Sequence, residues 1–279
     1  MPPEYEALSV EVDAGVAFVT LDHPPVNLLD ATMIGDLWSV ANRFADDDTA
    51  RVVVVRSADT EFFVAHADLR LIQQLPRDVT ERGTELAVIH QLMERWRTLP
   101  QVTIAQIDGR ARGGGSEFVL SLDLRFAARG RAVLSQPEVS VGIIPGGGGT
   151  QRLPHLVGRG RALEIVLGCA DFDADTAERY GWVNRALAPE ELGPFVERLA
   201  RRMEAFPPDA VRRAKLAVDA AMPGNDAGLI EEAYQFNRTL ADAELDARME
   251  RALALGAQTR EGELDLGALI ERAGAEGET

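Results

Sequence analysis

The stretch Arg112-Gly113-Gly114-Gly115-Ser116-Glu117-Phe118-Val119-Leu120 decides how the rest of the chain is read. Upstream of it, Val102, Ile104, Ala105 and Ile107 form an apolar run that reads as a buried strand, ended by the turn signal Asp108-Gly109. Downstream of the three glycines, residues 118–122 are mostly apolar and read as a helix. Then come Ser135-Gln136-Pro137-Glu138 and a second glycine block, Pro145-Gly146-Gly147-Gly148-Gly149-Thr150. Residues 102–153 thus combine two carboxylates with free backbone N–H groups at a helix start. That set suits acid–base chemistry beside a developing oxyanion.

Each carboxylate also has an ordinary explanation. Glu117 falls in the first turn of a helix, where the macrodipole favours a negative charge. Glu138 could be a loop carboxylate at the surface. The apolar residues around Glu117 argue for burial, which raises a carboxyl towards a useful acid–base range. Pro137 fixes the backbone before Glu138 and so aims its side chain.

Composition narrows the function classes. The 279 residues can bury a substantial core, and 46% hydrophobic with 27% charged residues is ordinary for a globular protein. No run approaches 18 apolar residues, so no membrane-spanning helix is expected. The first residues lack a basic and then apolar leader, so the expected location is the cytoplasm. A formal charge of −16 argues against nucleic-acid or anionic-membrane partners. Cys169 is the single cysteine, and the four histidines (His23, His66, His90, His155) lack zinc-ligand spacing, so no metal site is expected. Lys215 is the single lysine, which excludes a P-loop and leaves one Schiff-base candidate, in a helix that reads as structural. A dinucleotide fingerprint fails because Phe118 stands where a third glycine belongs. A serine nucleophile elbow fails because no glycine stands two residues after Ser116.

Residues 16–21 read as a strand. Asp30 caps a helix whose apolar residues Met33, Ile34, Leu37, Val40, Ala41 and Phe44 recur at helical spacing. Val52-Val53-Val54-Val55 reads as a strand buried on both faces. A helix follows over residues 86–97. Residues 123–128 and 132–134 read as a hairpin-like pair of strands around Arg129-Gly130-Arg131. From residue 159 the pattern is helical, with helices expected over 161–167, 174–180, 189–205, 208–221 and 228–240. The change divides the chain into a core over residues 1–195 and a C-terminal helical region over 196–279. The last thirty or so residues, polar and rich in Gly and Glu, read as a loose tail or a partner-dependent extension.

Taken in order, several motifs resemble the enoyl-CoA hydratase/isomerase (crotonase) superfamily. They are Gly113-Gly114-Gly115-Ser116-Glu117-Phe118, Asp123-Leu124-Arg125-Phe126-Ala127, Gln136-Pro137-Glu138-Val139, and Gly142-Ile143-Ile144-Pro145-Gly146 continuing through Gly149-Thr150-Gln151-Arg152-Leu153. Val19-Thr20-Leu21-Asp22-His23-Pro24, Phe63-Val64-Ala65-His66-Ala67-Asp68-Leu69 and Gly181-Trp182-Val183-Asn184 extend the match to roughly residues 10–220. The resemblance implies an α/β fold, a spiral of ββα units whose C-terminal helices pack against neighbouring subunits in a homotrimer or a dimer of trimers. It implies an acyl-CoA thioester substrate, with coenzyme A as part of the substrate and no separate cofactor.

By the same resemblance, the N–H groups of Ala67 and Gly114 form an oxyanion hole for the thioester carbonyl, and Ala65, His66, Asp68, Leu69 and Gly113 surround the substrate. Glu117 activates the water that attacks the β-carbon, and Glu138 delivers a proton to the α-carbon, so that a trans-2-enoyl-CoA becomes a 3-hydroxyacyl-CoA. Residues 70–98 would line the acyl pocket. Alternatives are an enoyl-CoA isomerase, another CoA lyase or decarboxylase, and a catalytically idle acyl-CoA-binding subunit. The chain departs from the family pattern in three places. His66 stands where a glycine is usual, the Arg129-Gly130-Arg131 turn carries an extra residue, and the usual C-terminal ending with its phosphate-binding lysine is missing.

Overall fold

Val52 to Val55 are four β-branched residues in a row, all fully buried, which a strand can satisfy only with cover on both faces. The computed structural model, which describes residues 5–79, 81–222 and 225–275, provides both covers. Its strands are β1 (Leu8–Asp13), β2 (Val16–Leu21), β3 (Val52–Ser57), β4 (Phe62–Val64), β5 (Val102–Ile107), β6 (Arg110–Arg112), β7 (Leu124–Ala128), β8 (Val133–Ser135), β9 (Phe172–Asp173) and β10 (Arg185–Leu187). Six form one sheet in the order β1-β2-β3-β5-β7-β10, and four form another in the order β4-β6-β8-β9. In the larger sheet β2 to β10 run parallel, and only the edge strand β1 is antiparallel. Helix Pro189–Glu204 covers one face of this sheet through Leu192, Val196 and Ala200. The other face meets the main core, which includes Met33, Leu37, Trp96 and Phe118.

Consecutive strands alternate between the sheets: β3 then β4, β5 then β6, β7 then β8. Helices follow each pair, with Leu69–Gln73 and Val88–Arg97 after the first, Gly114–Leu120 after the second, and Gly149–Val157 after the third. This is the spiral of ββα units that the resemblance implies. Helix Ala31–Ala45 begins as its sequence indicates, with the Asp30 carboxylate accepting from the Met33 N–H at 2.9 Å.

The expected hairpin around Gly130 is not formed. Strand β7 lies in the large sheet between β5 and β10, whereas β8 pairs with β6 and β9 in the small one. Arg129-Gly130-Arg131 is the exposed corner where the chain changes sheets, with Gly130 at φ +75°. Two short strands with a glycine turn between them suit either a hairpin or a crossover. The parallel neighbours of β7 decide for the crossover.

The last described residues are not a loose tail. They form helices Leu245–Ala254, Arg260–Leu264 and Leu266–Ala275. Leu245, Met249, Ala252, Leu266 and Leu269 make a third core cluster with Leu69, Ile72 and Ile143. This part of the C-terminal region therefore folds back on its own chain. Helix Pro208–Asp219, by contrast, has no buried residue, and Leu216, Val218 and the nearby Met222 are exposed. Its Lys215 Nζ donates to Leu99 O at 2.8 Å, Gln101 O at 3.0 Å and the Asp123 carboxylate at 2.8 Å. The single lysine is thereby committed to tying this helix to strand ends. Among the described residues, no helix is long and apolar enough to cross a membrane.

Candidate active site

Helix Gly114–Leu120 is buried along its whole length, with Phe118 edge-on to Trp96 at 5.2 Å between ring centroids. At its C-terminal end the buried Arg125 donates to Leu122 O at 2.7 Å and Trp182 O at 2.9 Å, placing a cation where the helix dipole favours one. Glu117 thus sits on a fully buried helix. Its Oε1 accepts from the Gly147 N–H at 2.7 Å and the Gly149 N–H at 2.8 Å. Burial and the charge of Glu232 push the carboxyl up to about 7, against the opposing pull of those two N–H groups and of Arg152. A side chain at Gly147 would come within 2.8 Å of Glu117 Oε2, so only glycine lets the backbone approach this closely.

Glu232 is a third carboxylate at this loop, and the motif reading missed it. It lies on helix Asp226–Leu240, only 1% exposed. Its Oε1 accepts from the Gly148 N–H at 2.6 Å, and its Oε2 accepts from the Thr150 N–H at 2.9 Å and from the Thr150 hydroxyl. The N–H groups of residues 147–150 therefore alternate between Glu117 on one side and Glu232 on the other. His90, fully buried, bonds through Nε2 to Glu232 Oε1 at 2.9 Å. One signal was available: Leu229, Glu232, Phe236 and Leu240 share one helical stripe, and a charge inside an apolar stripe marks a buried partner.

Glu138 opens the short 3₁₀ turn Glu138–Val141 and is half-buried. Burial, and then the charges of Glu117 and Glu232, raise its carboxyl well above the usual range, against the pull of its own N–H. With its amide nitrogen turned to the carboxylate, Gln136 donates to both Glu138 oxygens at 3.1 Å and accepts from Ser116 Oγ at 3.3 Å. Gly113, at φ +48°, lies against Glu138: a Cβ there would stand 2.7 Å from Oε1. The two glutamates of the motif reading are thus brought to one place, with Glu138 in the field of Glu117.

The expected oxyanion donors also meet. A Cβ on Gly114 would lie 3.5 Å from the Ala67 nitrogen, and neither the Ala67 nor the Gly114 N–H has an acceptor among the described residues. Gly114 is the first residue of its helix, while Ala67 lies one residue before the Asp68 cap of helix Leu69–Gln73. Asp68 accepts from the Arg70 N–H at 2.9 Å and from Gln258 Nε2 at 2.8 Å. Ala65 packs with Val26 and Phe62 and gives its N–H to Val26 O, whereas Leu69 belongs to the C-terminal cluster. Of the five residues expected around the substrate, Gly113, His66 and Leu69 adjoin Glu138 or the cavity next to it. Ala65 and Asp68 serve the loop itself.

His66 is buried, and both ring nitrogens face acceptors, Nδ1 the Ala67 carbonyl at 2.7 Å and Nε2 the Glu263 carboxylate at 2.9 Å. Burial alone would depress the imidazolium, but Glu263 and the Ala67 carbonyl overcome it and raise the His66 pKa. Glu263, against the cost of burial, is lowered to about 2 by His66, the Gln258 N–H and Arg112. Arg112, fully buried, completes the cluster with 2.8 and 2.6 Å bonds to Asp171 and a 2.7 Å bond to Glu263 O.

A cavity of about 50 Å³ adjoins His66 and Glu138, walled by Leu69, Ile143, Ala252, Ala257 and Leu266 among others. None of the described residues between 70 and 98 lines it, whereas Ala252, Leu266, Leu269 and Ile270 of the C-terminal helices do. A larger cavity of about 880 Å³ lies under helix Pro208–Asp219, lined by Asp123, Arg125, Arg152 and Lys215, and none of the expected site residues reaches it. Among the described residues no three His, Cys, Asp or Glu side chains gather as a metal-ligand set.

The comparison with known proteins agrees with this architecture. The family model described as Enoyl-CoA hydratase/isomerase matches residues 11–251. The short-chain-enoyl-CoA hydratase of Clostridium acetobutylicum is 32% identical, covering 78% of this chain and 83% of that one. The crotonyl-CoA hydratase of Syntrophomonas wolfei is 34% identical over the same shares, 78% and 83%. A crystal structure from Streptomyces avermitilis, provisionally named an enoyl-CoA hydratase, superposes with a TM-score of 0.91 at 42% identity, covering 98% of this chain and all of the other. This chain belongs to the enoyl-CoA hydratase/isomerase family.

Proposed function

We propose that the protein hydrates a trans-2-enoyl-CoA to the 3-hydroxyacyl-CoA, with coenzyme A entering as part of the substrate and no separate cofactor. The observation that carries this reading is the pair of carboxylates Glu117 and Glu138, both raised, set around the unpaired N–H groups of Ala67 and Gly114. A thioester carbonyl accepting from those two N–H groups withdraws electron density from the conjugated double bond, leaving the β-carbon open to attack. Each donor contributes roughly 100- to 1,000-fold in rate when it matches the developing oxyanion.

The two glutamates differ in a way that assigns their roles. Glu117 holds two N–H donors on one oxygen, which favours its ionised form and suits it as the base. Glu138 has no two backbone donors on one oxygen, and burial and then the field of Glu117 raise it well above the usual carboxyl range, which suits it as the acid. As the water oxygen bonds to the β-carbon, Glu117 takes a water proton and Glu138 gives its own to the α-carbon. The water O–H, the Glu138 O–H and the C=C π bond break while the C–O, C–H and Glu117 O–H bonds form, and transfer of the proton from Glu117 to Glu138 by way of solvent resets the site.

The test follows the ultraviolet absorbance of conjugated enoyl-CoA thioesters of several chain lengths, with mass detection of a gain of one water. Loss of absorbance with that gain is expected. Unchanged spectra across the panel would remove the hydratase reading, and full activity of Glu117→Gln on a 3-enoyl-CoA would put an isomerase in its place. The homotrimer or dimer of trimers implied by the family resemblance is part of the proposal, and sedimentation measures it.

A further inference from the structure

The two oxyanion donors lie on different loops, one after β4 and one after β6, and something must set the gap between them. We propose that His66, Glu263 and Arg112 form a positioning bracket that fixes the Ala67 and Gly114 N–H groups relative to each other, so that a segment of the C-terminal helices helps to build the oxyanion hole.

The first arm of the bracket is the His66 loop. His66 O accepts the Leu29 N–H at 2.9 Å. A trans peptide points its N–H opposite to its C=O, so this bond aims the Ala67 N–H away from Leu29. The His66 ring then donates to the Ala67 carbonyl at 2.7 Å and pins the next peptide plane as well. Both peptide planes flanking Ala67 are fixed, and the ring itself is held by Glu263 at 2.9 Å. Since both ring nitrogens bond to acceptors, the ring works as the imidazolium.

Arg112 provides the second arm. It stands two residues before Gly114, and its guanidinium donates to the Glu263 carbonyl at 2.7 Å while its other nitrogens grip Asp171. Glu263 thus bonds through its side chain to the residue before one donor and through its backbone to the strand that carries the other. The loops also touch directly: a Cβ on Gly113 would lie 3.3 Å from His66 Cβ. Glu263 is in turn located by the Gln258 N–H at 2.8 Å and is fully buried. A displacement of about 1 Å in such a site costs on the order of 100-fold in rate, so a bracket of this stiffness has kinetic weight.

The proposal rests on the thioester reading of the site, and its test separates the two. A saturated acyl-CoA carrying ¹³C at the thioester carbonyl binds without being hydrated, and isotope-edited infrared spectra report how far the bound carbonyl is polarised. In the wild-type protein the carbonyl stretch falls on binding. In His66→Ala and Glu263→Ala that fall is at least halved, kcat on an enoyl-CoA drops about 10- to 100-fold, and KM stays within about threefold. Glu263→Gln, which keeps an acceptor for the ring, restores most of both. A full wild-type carbonyl shift in folded His66→Ala and Glu263→Ala, or losses seen only in KM and melting temperature, would overturn the bracket while leaving the thioester reading intact. No shift in the wild-type protein would overturn both.

Discussion

Residues 146–150 and residues 65–69 both bring backbone N–H groups to the site, yet they are held in different ways. The glycine loop is clasped between two carboxylates, Glu117 and Glu232, each accepting from alternate N–H groups. Residues 65–69 leave the Ala67 N–H without an acceptor among the described residues and are held from behind, through a carbonyl and a ring, by a residue 197 positions away. The first arrangement spends its donors on Glu117 and Glu232 and so tunes a charge. The second leaves a donor unspent and transfers the holding to an ion pair. The two carboxylates show it: Glu117 is raised to about 7, whereas Glu263 is lowered to about 2.

That contrast can be broken from either side. Glu117→Gln and Glu138→Gln should each lower kcat by about 100- to 10,000-fold in the hydration assay, the largest effect expected. The same two loops should answer oppositely in stability. A carboxyl held above its unfolded value stabilises the fold fully below about pH 4.5, and that contribution is lost as the pH rises through about 7. Glu117→Gln should therefore unfold at higher denaturant than wild type at pH 8, by on the order of 2–3 kcal/mol. Glu263 contributes above about pH 4.5 and loses its contribution as the pH falls through about 2. Glu263→Ala, which also strands His66 and Arg112, should destabilise by about 3–5 kcal/mol at pH 7 in the same titration. Equal signs for the two variants would erase the distinction.

Smaller changes sharpen it. Glu232→Gln removes a negative charge beside Glu117, which makes the ionised form easier to reach. The acidic limb of the kcat/KM profile should move to lower pH, and a limb that stays in place would show that Glu232 acts only as a clasp. Asp68→Ala removes the cap of helix Leu69–Gln73 and the Gln258 contact, at a cost of about 1 kcal/mol with kcat little changed.

The sequence disclosed what is held locally. Asp30, the four valines and the glycines before Glu117 each need only neighbours in the chain to be understood, and each stands where its pattern places it. Glu232 and Glu263 were not found because their partners lie far off, the Gly148 N–H at 84 residues and the His66 ring at 197. The helices over residues 245–275 were read as tail because their apolar residues are thinly spread among charges. A narrow stripe is enough when the surface to be covered is a single loop and a short helix. In the sequence His66 is only a departure from the family's usual glycine, since its two partners, a neighbouring carbonyl and Glu263, leave no mark in the local pattern. The hairpin around Gly130 failed for a related reason, since strand length and turn residues do not say which sheet receives each strand.

The His66–Glu263 contact also has a bearing on how the molecule reaches its native state. A bond that spans 197 residues can close only after the spiral between its ends has formed, because until then the chain entropy of so long a loop opposes it. Contacts of this range slow folding in proportion to their share of the whole. The sheets can assemble from strands that meet within one ββα turn, whereas the oxyanion loop must wait for its bracket. During refolding, secondary structure would return first and catalytic competence last, with the interval between them set by the docking of the C-terminal helices.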